Sequence, residues 1–504
     1  MKDTFYITTP IYYVNSPPHV GSAYTTVIAD VIARWHRLHG RKVHFLTGVD
    51  EHGARQVKAA EEAGLDPQTY VDSMAPHYRE LWQALDISND DFIRTTEERH
   101  KKAVVPLMEK LRDADDIYLA TYEGWYCIRC EEFKTEDELV DGKCPIHHAP
   151  VERLREDNYY FRLSKYNDAL IRLYEETPDF LRPRRAYNEM YALLKQGLLD
   201  QPISRPTVKW GVPVPWDPDH VIYIWIEALA NYITAIGFGS DWDRFERIWP
   251  ADVHLMGKEI VRHHAVVWPA MLISAGLPLP KRVFAHGHLL AGGEKISKSG
   301  KGITQISPQD LIADYGVDGY RFHFVRSVSF GEDGNFSLEE MEARYNAELA
   351  NDFGNLASRT LSMIDRYADG VVPAPEVSED PETKLRDTIA RAGPSADGLF
   401  EDLRVTEAVA EIWEIVRHAN RYLVEREPWK LARDEVNRAM VAGVLSVTAE
   451  ALAALAALLS PVMPAACREL WARLGYAGEP VSDPPSPAGN RIATGEPLFP
   501  RIEA

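Results

Sequence analysis

The first fifty residues follow the order strand, turn, helix, strand, and polar residues occupy the turns. A short apolar strand, Phe5–Thr8, leads through His19-Val20-Gly21-Ser22 into a helix whose apolar residues recur every three or four positions, and Gly40 ends it. The strand Val43–Val49 follows and runs into Asp50-Glu51-His52-Gly53. This is a βαβ unit, which requires a parallel sheet covered by helices, and such sheets bind ligands at the carboxyl ends of their strands.

Two separate motifs are each suited to hold phosphate. His19 lies at the N-terminus of the predicted helix, where the helix dipole and exposed N–H groups favour anions. Far along the chain, Lys295-Ile296-Ser297-Lys298-Ser299 lies between Gly292-Gly293 and Gly300, so two lysines can swing onto a polyphosphate. Either motif alone could arise by chance. Together they indicate that ATP is bound and activated; the alternative for His19 is helix capping alone.

The rest of the chain predicts a divided fold. Strands at Asp252–Met256 and Val283–Leu290, with a helix at Lys258–Ala275 between them, continue the parallel sheet, and beyond residue 305 the periodicity is helical. We therefore predict an α/β protein with a doubly wound, Rossmann-type sheet split by a connective insertion, followed by an all-α helix bundle. The predicted domains are the sheet (1–115 and 216–292), the insertion (116–215), a linking domain with the lysine loop (293–349) and the bundle (350–504).

Composition narrows the functional classes. The net charge of −20 argues against a protein that coats nucleic acid, although a local basic face would serve one RNA partner. No secretory signal opens the chain, so we expect a cytoplasmic location. Residues 439–463 carry a single charge, Glu450. A buried bundle helix is favoured over a membrane span, because Gly443 interrupts this run and Pro461 lies at its end.

Three of the four cysteines form two short knuckles. Cys127-Ile128-Arg129-Cys130 is followed by Cys144-Pro145-Ile146-His147, and this spacing fits tetrahedral zinc in a reducing compartment. Four protein ligands close the coordination sphere, so the predicted Zn²⁺ site is structural. His148 competes with His147 for the fourth place, and the alternative is unliganded cysteines. Cys467 is predicted to be an ordinary core residue.

Five further motifs accompany the two phosphate motifs in a fixed order. They are Thr9–Tyr13, Gly48–Gly53, Ser204-Arg205 with Trp210–Pro215, Tyr223–Ala228 and Gly257–Ile260. With them, nearly the whole chain resembles the methionyl-tRNA synthetase family of class I aminoacyl-tRNA synthetases. The resemblance implies ATP-dependent ligation of L-methionine to tRNA(Met) through a methionyl-adenylate, with release of AMP and pyrophosphate. Ser22 stands where the family usually has a second His, and His147 where it usually has Cys.

The resemblance also implies roles for individual residues. Phosphate charge would be stabilised by His19, Lys295 and Lys298, with Mg²⁺ accompanying ATP. The remaining ATP contacts would be Gly21, Ser22 and Ser297. Asp50 would hold the methionine amine; its alternative role is to cap a helix. The thioether would pack among apolar and aromatic walls formed by Ile11, Tyr13, Trp225, Leu229, Tyr232, Ile260 and His264.

A third set of residues lies in the predicted bundle. Asn355 and Arg359 lie one helical turn apart, and Pro428-Trp429 opens another helix. The resemblance implies that these four residues read the CAU anticodon. The Asn side chain offers a donor and an acceptor to a base, the Arg can hold a phosphate or a base, and the Trp ring offers a stacking surface. Without the resemblance, Trp429 would be taken for core and Arg359 for a surface ion pair. No OB-fold is recognisable after the bundle, so we expect a monomer, and we expect no membrane partner.

Three other functions compete with this interpretation. A class I synthetase for Leu, Ile or Val would need a larger editing insertion, and one for Cys would need an open zinc site that contacts the substrate. A small-molecule nucleotidyltransferase would have no use for a helical C-terminal domain. A catalytically silent relative would not need His19, Asp50, Lys295 and Lys298.

Overall fold

A computed structural model describes residues 2–127, 132–145, 148–291, 294–295, 306–375 and 379–503. The chain packs as two compact units. The first unit comprises Met1–Pro18, Lys42–Leu81 and Asn89–His286. The second comprises His19–Arg41, Trp82–Ser88 and Gly287–Ala504.

The first unit is built on a parallel sheet. Among the described residues its six strands are, in spatial order, Asp91–Arg94, Lys42–Asp50, Thr4–Tyr13, Val253–Gly257, Val283–His286 and Leu181–Arg182. Every neighbouring pair runs parallel. The strand order reverses at Thr4–Tyr13, which is the switch point at which doubly wound sheets form their ligand crevice. The parallel, Rossmann-type sheet confirms this part of the predicted fold.

Close packing fixes the strands against one another. Side chains such as Tyr6, Leu46 and Ile93 are almost completely buried in the core of the first unit. Gly48 is required in the strand Lys42–Asp50, because a Cβ there would lie 2.2 Å from the carbonyl oxygen of Ile93 on the neighbouring strand.

The helices between Lys42 and His286 are Ala54–Ala63, Pro67–Ala84, Glu98–Asp113, Asn167–Glu176, Arg184–Gln196, Ile224–Leu229, Asn231–Thr234, Trp242–Ile248 and Trp268–Ser274.

Two antiparallel sheets occupy the segment that carries the cysteines. Ile117–Cys127 pairs with Glu132–Lys134 and Glu152–Phe161, and the latter pairs with Gln201–Pro202. A smaller sheet joins Pro213–Val214, Asp217–Ile222 and Ser204–Arg205. Cys127 is the last residue of its strand and pairs with Glu132, the first residue of the next.

The predicted helix Lys258–Ala275 is interrupted by irregular turns. A 3₁₀ turn, Lys258–Ile260, precedes the π-helix His263–Val267 and the α-helix Trp268–Ser274. Pro269 has no N–H to donate to the carbonyl of Ala265, and the Tyr174 hydroxyl donates to that carbonyl instead, at 2.9 Å. The predicted strand Val283–Leu290 also differs, because the structure divides it into Val283–His286 and Leu289–Ala291.

The second unit is mainly helical. The helix Val20–Leu38, which we call the first helix, belongs to it by packing. The other regular elements are the short strands Leu289–Ala291, Glu294–Lys295 and Gly334–Asn335 and the helices Pro308–Arg326, Leu338–Arg344, Tyr345–Gly354 (π), Asn355–Tyr367, Asp380–Glu401, Val405–Arg426, Pro428–Leu431, Arg438–Leu458 and Pro464–Arg473. The four longer helices from Asn355 to Leu458, which we call the C-terminal bundle, confirm the predicted helical domain.

The most apolar helix lies inside this bundle. The helical stretch Glu435–Leu458, which includes the α-helix Arg438–Leu458, is long and apolar enough to cross a membrane, but 89% of its most apolar window is buried. The first helix also packs within the second unit. The Trp35 ring stacks on Phe400 with centroids 4.2 Å apart, and its Nε1 donates to Asp397 Oδ1 at 3.0 Å.

Candidate functional site

The carboxyl ends of the two central strands of the βαβ unit bring Tyr13 and Asp50 together. They are direct partners in the parallel pairing of Thr4–Tyr13 with Lys42–Asp50. The Asp50 side chain is buried, and the Gln56 Nε2 donates to the Asp50 carbonyl oxygen at 3.0 Å. A carboxylate at this position lies at the strand ends, where α/β sheets bind their ligands.

Aromatic rings form the wall beside this strand end. Tyr13 meets Trp225 edge to face with centroids 6.3 Å apart, and Trp225 meets His264 at 6.5 Å. Trp225 also stacks on His263 at 4.0 Å. Of the seven predicted wall residues, the buried ones are Leu229, Tyr232 and His264, and the half-buried ones are Ile11, Tyr13, Trp225 and Ile260. Contacts therefore connect Tyr13, Trp225, Tyr232 and His264 into one surface of the first unit.

His264 is neutral in this wall, and its tautomer is defined. Burial lowers the pKa of His264 to about 4. Its Nδ1 lies 2.9 Å from the Ile260 carbonyl oxygen, so Nδ1 carries the proton and donates. Its Nε2 therefore accepts from the Tyr232 hydroxyl at 2.7 Å. Burial raises the pKa of Tyr232, which keeps that hydroxyl protonated. The wall thus presents satisfied, uncharged polar groups to an apolar ligand.

A buried carboxylate shared by two imidazoles supports the same region. His52 Nδ1 lies 2.6 Å from Glu227 Oε1, and His100 Nε2 lies 3.4 Å from the same oxygen. Burial disfavours the charged form of Glu227, but the two histidines prevail and lower its pKa to about 2. Glu227 lies on the helix Ile224–Leu229 with Trp225, so this cluster joins the strand-end segment to the aromatic wall. Sequence reasoning gave these residues no role, although His52 and Glu227 lie inside two of the recognised motifs.

A small pocket adjoins this cluster. Its lining includes His52, Trp210 and Arg205. The Arg205 guanidinium lies 5.0 Å from the ring centroids of both Tyr126 and Tyr223, which is cation–π distance. The Trp210 Nε1 donates to the Glu51 carbonyl oxygen at 2.7 Å. This bond connects the lining of the pocket to the Asp50–Gly53 segment.

His19 caps the first helix. Its Nδ1 accepts from the Gly21 N–H at 2.9 Å, so a neutral imidazole carries its proton on Nε2 and donates from there. Ser22 completes the cap, because its Oγ accepts from the His19 N–H at 3.1 Å. Gly21 is needed here, since a Cβ would lie 2.8 Å from His19 Cε1. Capping and a phosphate contact are therefore compatible roles for His19, through different ring nitrogens.

Several predicted site residues lie outside the described part of the chain. The backbone of Lys295 pairs with Leu290, whereas Ser297 and Lys298 are among the residues that the structure does not describe. Cys130 and His147 are likewise outside it. The other two predicted zinc ligands, Cys127 and Cys144, are both buried. His148 is exposed and has left-handed backbone geometry, with φ of 49°.

Two of the predicted anticodon residues, Arg359 and Trp429, are in contact in the second unit. The guanidinium carbon of Arg359 lies 5.2 Å from the centroid of the Trp429 ring. Asn355 is exposed one turn earlier on the same helix, Asn355–Tyr367. Pro428 is buried and starts the short helix Pro428–Leu431 directly after Glu427, whose φ is +43°. Trp429 is half-buried.

Comparison with known proteins gives full-length matches. The family described as class I tRNA synthetases (M) matches residues 5–154 and 146–361, and the anticodon binding domain of methionyl tRNA ligase matches residues 372–501. The methionine–tRNA ligase of Streptomyces coelicolor is 47% identical and aligns over 99% of this chain and 97% of its own length. The Thermotoga maritima methionine–tRNA ligase is 46% identical over 99% of this chain and 80% of its own length.

Solved structures agree with these matches. The structure of Mycobacterium tuberculosis methionyl-tRNA synthetase in complex with methionyl-adenylate has a TM-score of 0.96 and 40% identity, with 99% of this chain and 100% of that chain covered. Both sequence and fold therefore match across the whole chain. The chain belongs to the methionyl-tRNA synthetase family of class I aminoacyl-tRNA synthetases.

Proposed function

We propose that the protein ligates L-methionine to tRNA(Met) in two steps, for use in translation initiation and elongation. A methionine carboxylate oxygen attacks the α-phosphorus of ATP, the bond to the bridging oxygen breaks, and pyrophosphate leaves. A hydroxyl of the terminal tRNA ribose then attacks the activated carbonyl, and AMP leaves. The observation that carries this proposal is the full-length similarity to a synthetase whose solved structure holds methionyl-adenylate, the product of the first step.

The chain's contribution to adenylate formation is positioning and charge stabilisation. Neither step needs a protein nucleophile, because phosphoryl transfer of this kind depends on alignment and on stabilising developing charge. We assign the His19 Nε2 donor to a phosphate oxygen of ATP. Lys295 and Lys298 hold the departing pyrophosphate. Mg²⁺, when bound with ATP, would neutralise part of its charge. Ser22, Gly21 and Ser297 complete the ATP contacts.

The methionine site divides into a charged end and an apolar end. Asp50 holds the ammonium group, since a buried carboxylate stabilises a buried cation at short range. The thioether packs against the aromatic wall, because sulfur makes favourable contacts with ring edges. The neutral donors and acceptors of the aromatic wall already bond to one another, as in the chain of hydrogen bonds from Tyr232 through His264 to the Ile260 carbonyl. The unbranched side chain is therefore selected mainly by shape.

We also assign a structural Zn²⁺ to the two cysteine knuckles. The residues fit such an ion, because Cys127 and Cys144 are both buried and thiolates are preferred zinc ligands. Cys130 supplies the third ligand. His147 supplies the fourth, since His148 is exposed. The ion holds the insertion together and takes no part in the reaction.

The second unit supplies tRNA selection. Asn355, Arg359, Pro428 and Trp429 read the CAU anticodon, with Trp429 as the stacking surface and Arg359 held over its ring. The enzyme acts as a cytoplasmic monomer.

ATP–pyrophosphate exchange with single amino acids tests this function. Exchange should depend on methionine, and cysteine, leucine, isoleucine and valine should give little. Charging of a tRNA with a CAU anticodon should follow when tRNA is added. Exchange driven by one of those other amino acids, or none at all with methionine, would contradict the proposal.

A further inference from the structure

An ion pair with no role in the proposed chemistry lies in the second unit. Arg321, on the helix Pro308–Arg326, and Asp30, on the first helix, are both completely buried. The Arg321 Nη2 lies 2.7 Å from the Asp30 Oδ2. Burial of two charges is unfavourable unless their remaining hydrogen-bonding groups are satisfied.

Beyond Asp30, the Arg321 guanidinium bonds to two further segments of the chain. Its Nε donates to the Val462 carbonyl oxygen at 2.9 Å, its Nη1 to that of Leu85 at 3.0 Å and its Nη2 to that of Pro461 at 2.8 Å. These bonds point in the divergent directions of a planar fork. A lysine ammonium could not make them all, because it is a single point of charge on a flexible stem.

Asp30 is equally well satisfied. Its Oδ1 accepts from the Ser88 N–H at 2.7 Å and from the Ser88 hydroxyl at 2.5 Å. Its Oδ2 also accepts from the Arg34 Nε at 2.8 Å. Although burial opposes ionisation, the guanidiniums of Arg321 and Arg34 lower the pKa of Asp30, so it stays charged. A buried, hydrogen-bonded clasp therefore holds the first helix by its middle.

This helix is the one that begins at His19. Asp30 lies eleven residues after His19, which is about 16 Å along a continuous α-helix. The imidazole is fixed to the helix by its Nδ1, which accepts from the Gly21 N–H. Any axial shift or rotation at Asp30 is therefore transmitted to the His19 Nε2.

We propose that Arg321 is a positioning residue for methionine activation, which sets the location of the His19 imidazole by clasping the first helix through Asp30. The inference rests on the proposed role of His19. Arg321 would touch no substrate and would still affect the rate of methionine activation. A residue that only stabilised the fold would not have this effect.

The primary test is Arg321→Lys, with methionine-dependent pyrophosphate exchange as the readout. The value of kcat/KM for ATP should fall at least tenfold, while KM for methionine should change less than twofold, because the methionine site is formed within the first unit. Glu382→Gln is the matched control. It removes the carboxylate from another buried cluster of the second unit, in which Arg426 Nε donates to Glu382 at 2.7 Å. The control should lower the melting temperature without changing kcat/KM for ATP.

A double-mutant cycle identifies the route of the effect. In a His19→Ala background, Arg321→Lys should cause less than a twofold further loss, because the imidazole that it positions is gone. Asp30→Asn, which keeps side-chain volume, should repeat this pattern and replaces Arg321→Lys if that variant does not fold. Additive losses, or an equal loss in Glu382→Gln, would overturn the proposal. Unchanged exchange in His19→Ala alone would instead overturn the role of His19 in the proposed function.

Discussion

At the residue scale, the proposed contact between Asp50 and the methionine amine can be tested directly. It is buried at the end of a central strand, beside Tyr13. Asp50→Ala should lower kcat/KM for methionine in pyrophosphate exchange by about a hundredfold or more, because breaking a buried ion pair costs about 3–5 kcal/mol. Asp50→Asn, which keeps the shape but loses the charge, should behave similarly. Near-normal exchange in either variant would refute the assignment of the amine to Asp50.

His19 and Ser22 share one helix cap but should contribute unequally to catalysis. Ser22→Ala removes a capping bond, which costs about 1 kcal/mol of stability, and leaves the imidazole in place. His19→Ala removes the side chain that we propose as the phosphate donor. Single-turnover adenylate formation should therefore be much slower in His19→Ala than in Ser22→Ala. Equal losses would show that the hydroxyl contributes more to ATP binding than we infer.

The buried His264 should make stability depend on pH. The unfolded imidazole has a pKa near 6.5 and the folded one about 4, so its contribution is complete above pH 6.5 and is lost as the pH falls to 4. The total is about 3 kcal/mol of unfolding free energy. Denaturation followed from pH 7 to pH 4 should show a loss that is smaller by this amount in His264→Gln, which does not titrate. Identical pH profiles would contradict the lowered pKa of His264 and hence its neutral state.

At the element scale, periodicity predicts regular structure well where each segment has its own pattern. The first helix appears as expected because its apolar spacing, its cap and Gly40 all agree. The helix around Pro269 departs from prediction because a hydroxyl distant in sequence, that of Tyr174, satisfies the carbonyl that proline leaves unpaired. The His52–Glu227–His100 cluster has no sequence spacing that could reveal it, since folding alone brings its three members together.

The two cysteine knuckles should behave as one metal-dependent element. Cys127→Ala should lose zinc by elemental analysis and melt at a lower temperature, before the intrinsic rate of adenylate formation changes, because the metal stabilises folding. Cys467→Ala is the matched control, since it also deletes a buried thiol but lies outside the knuckles. Zinc-free native protein, or equal metal content in both variants, would contradict the site.

At the scale of the whole molecule, a single substitution should lower tRNA aminoacylation without lowering methionine activation. Trp429→Ala removes a stacking surface worth about 1–3 kcal/mol per base, so aminoacylation should fall at least tenfold. Methionine-dependent exchange needs no tRNA and should stay nearly intact. Trp242→Ala removes a tryptophan that is 46% exposed in the first unit and should leave both activities unchanged. Parallel loss of both activities in Trp429→Ala would identify Trp429 as a folding residue.

The packing of Trp35 against Asp397 and Phe400 limits how this enzyme can be recombined. A chimera that exchanged only the residues after 350 for those of a relative would pair the native first helix with a foreign surface. The junction would run through a shared core, so such hybrids should be poorly expressed unless the helix from His19 to Arg41 is exchanged as well. Segments can be exchanged between relatives only as whole packing units, and a continuous stretch of sequence does not by itself form such a unit.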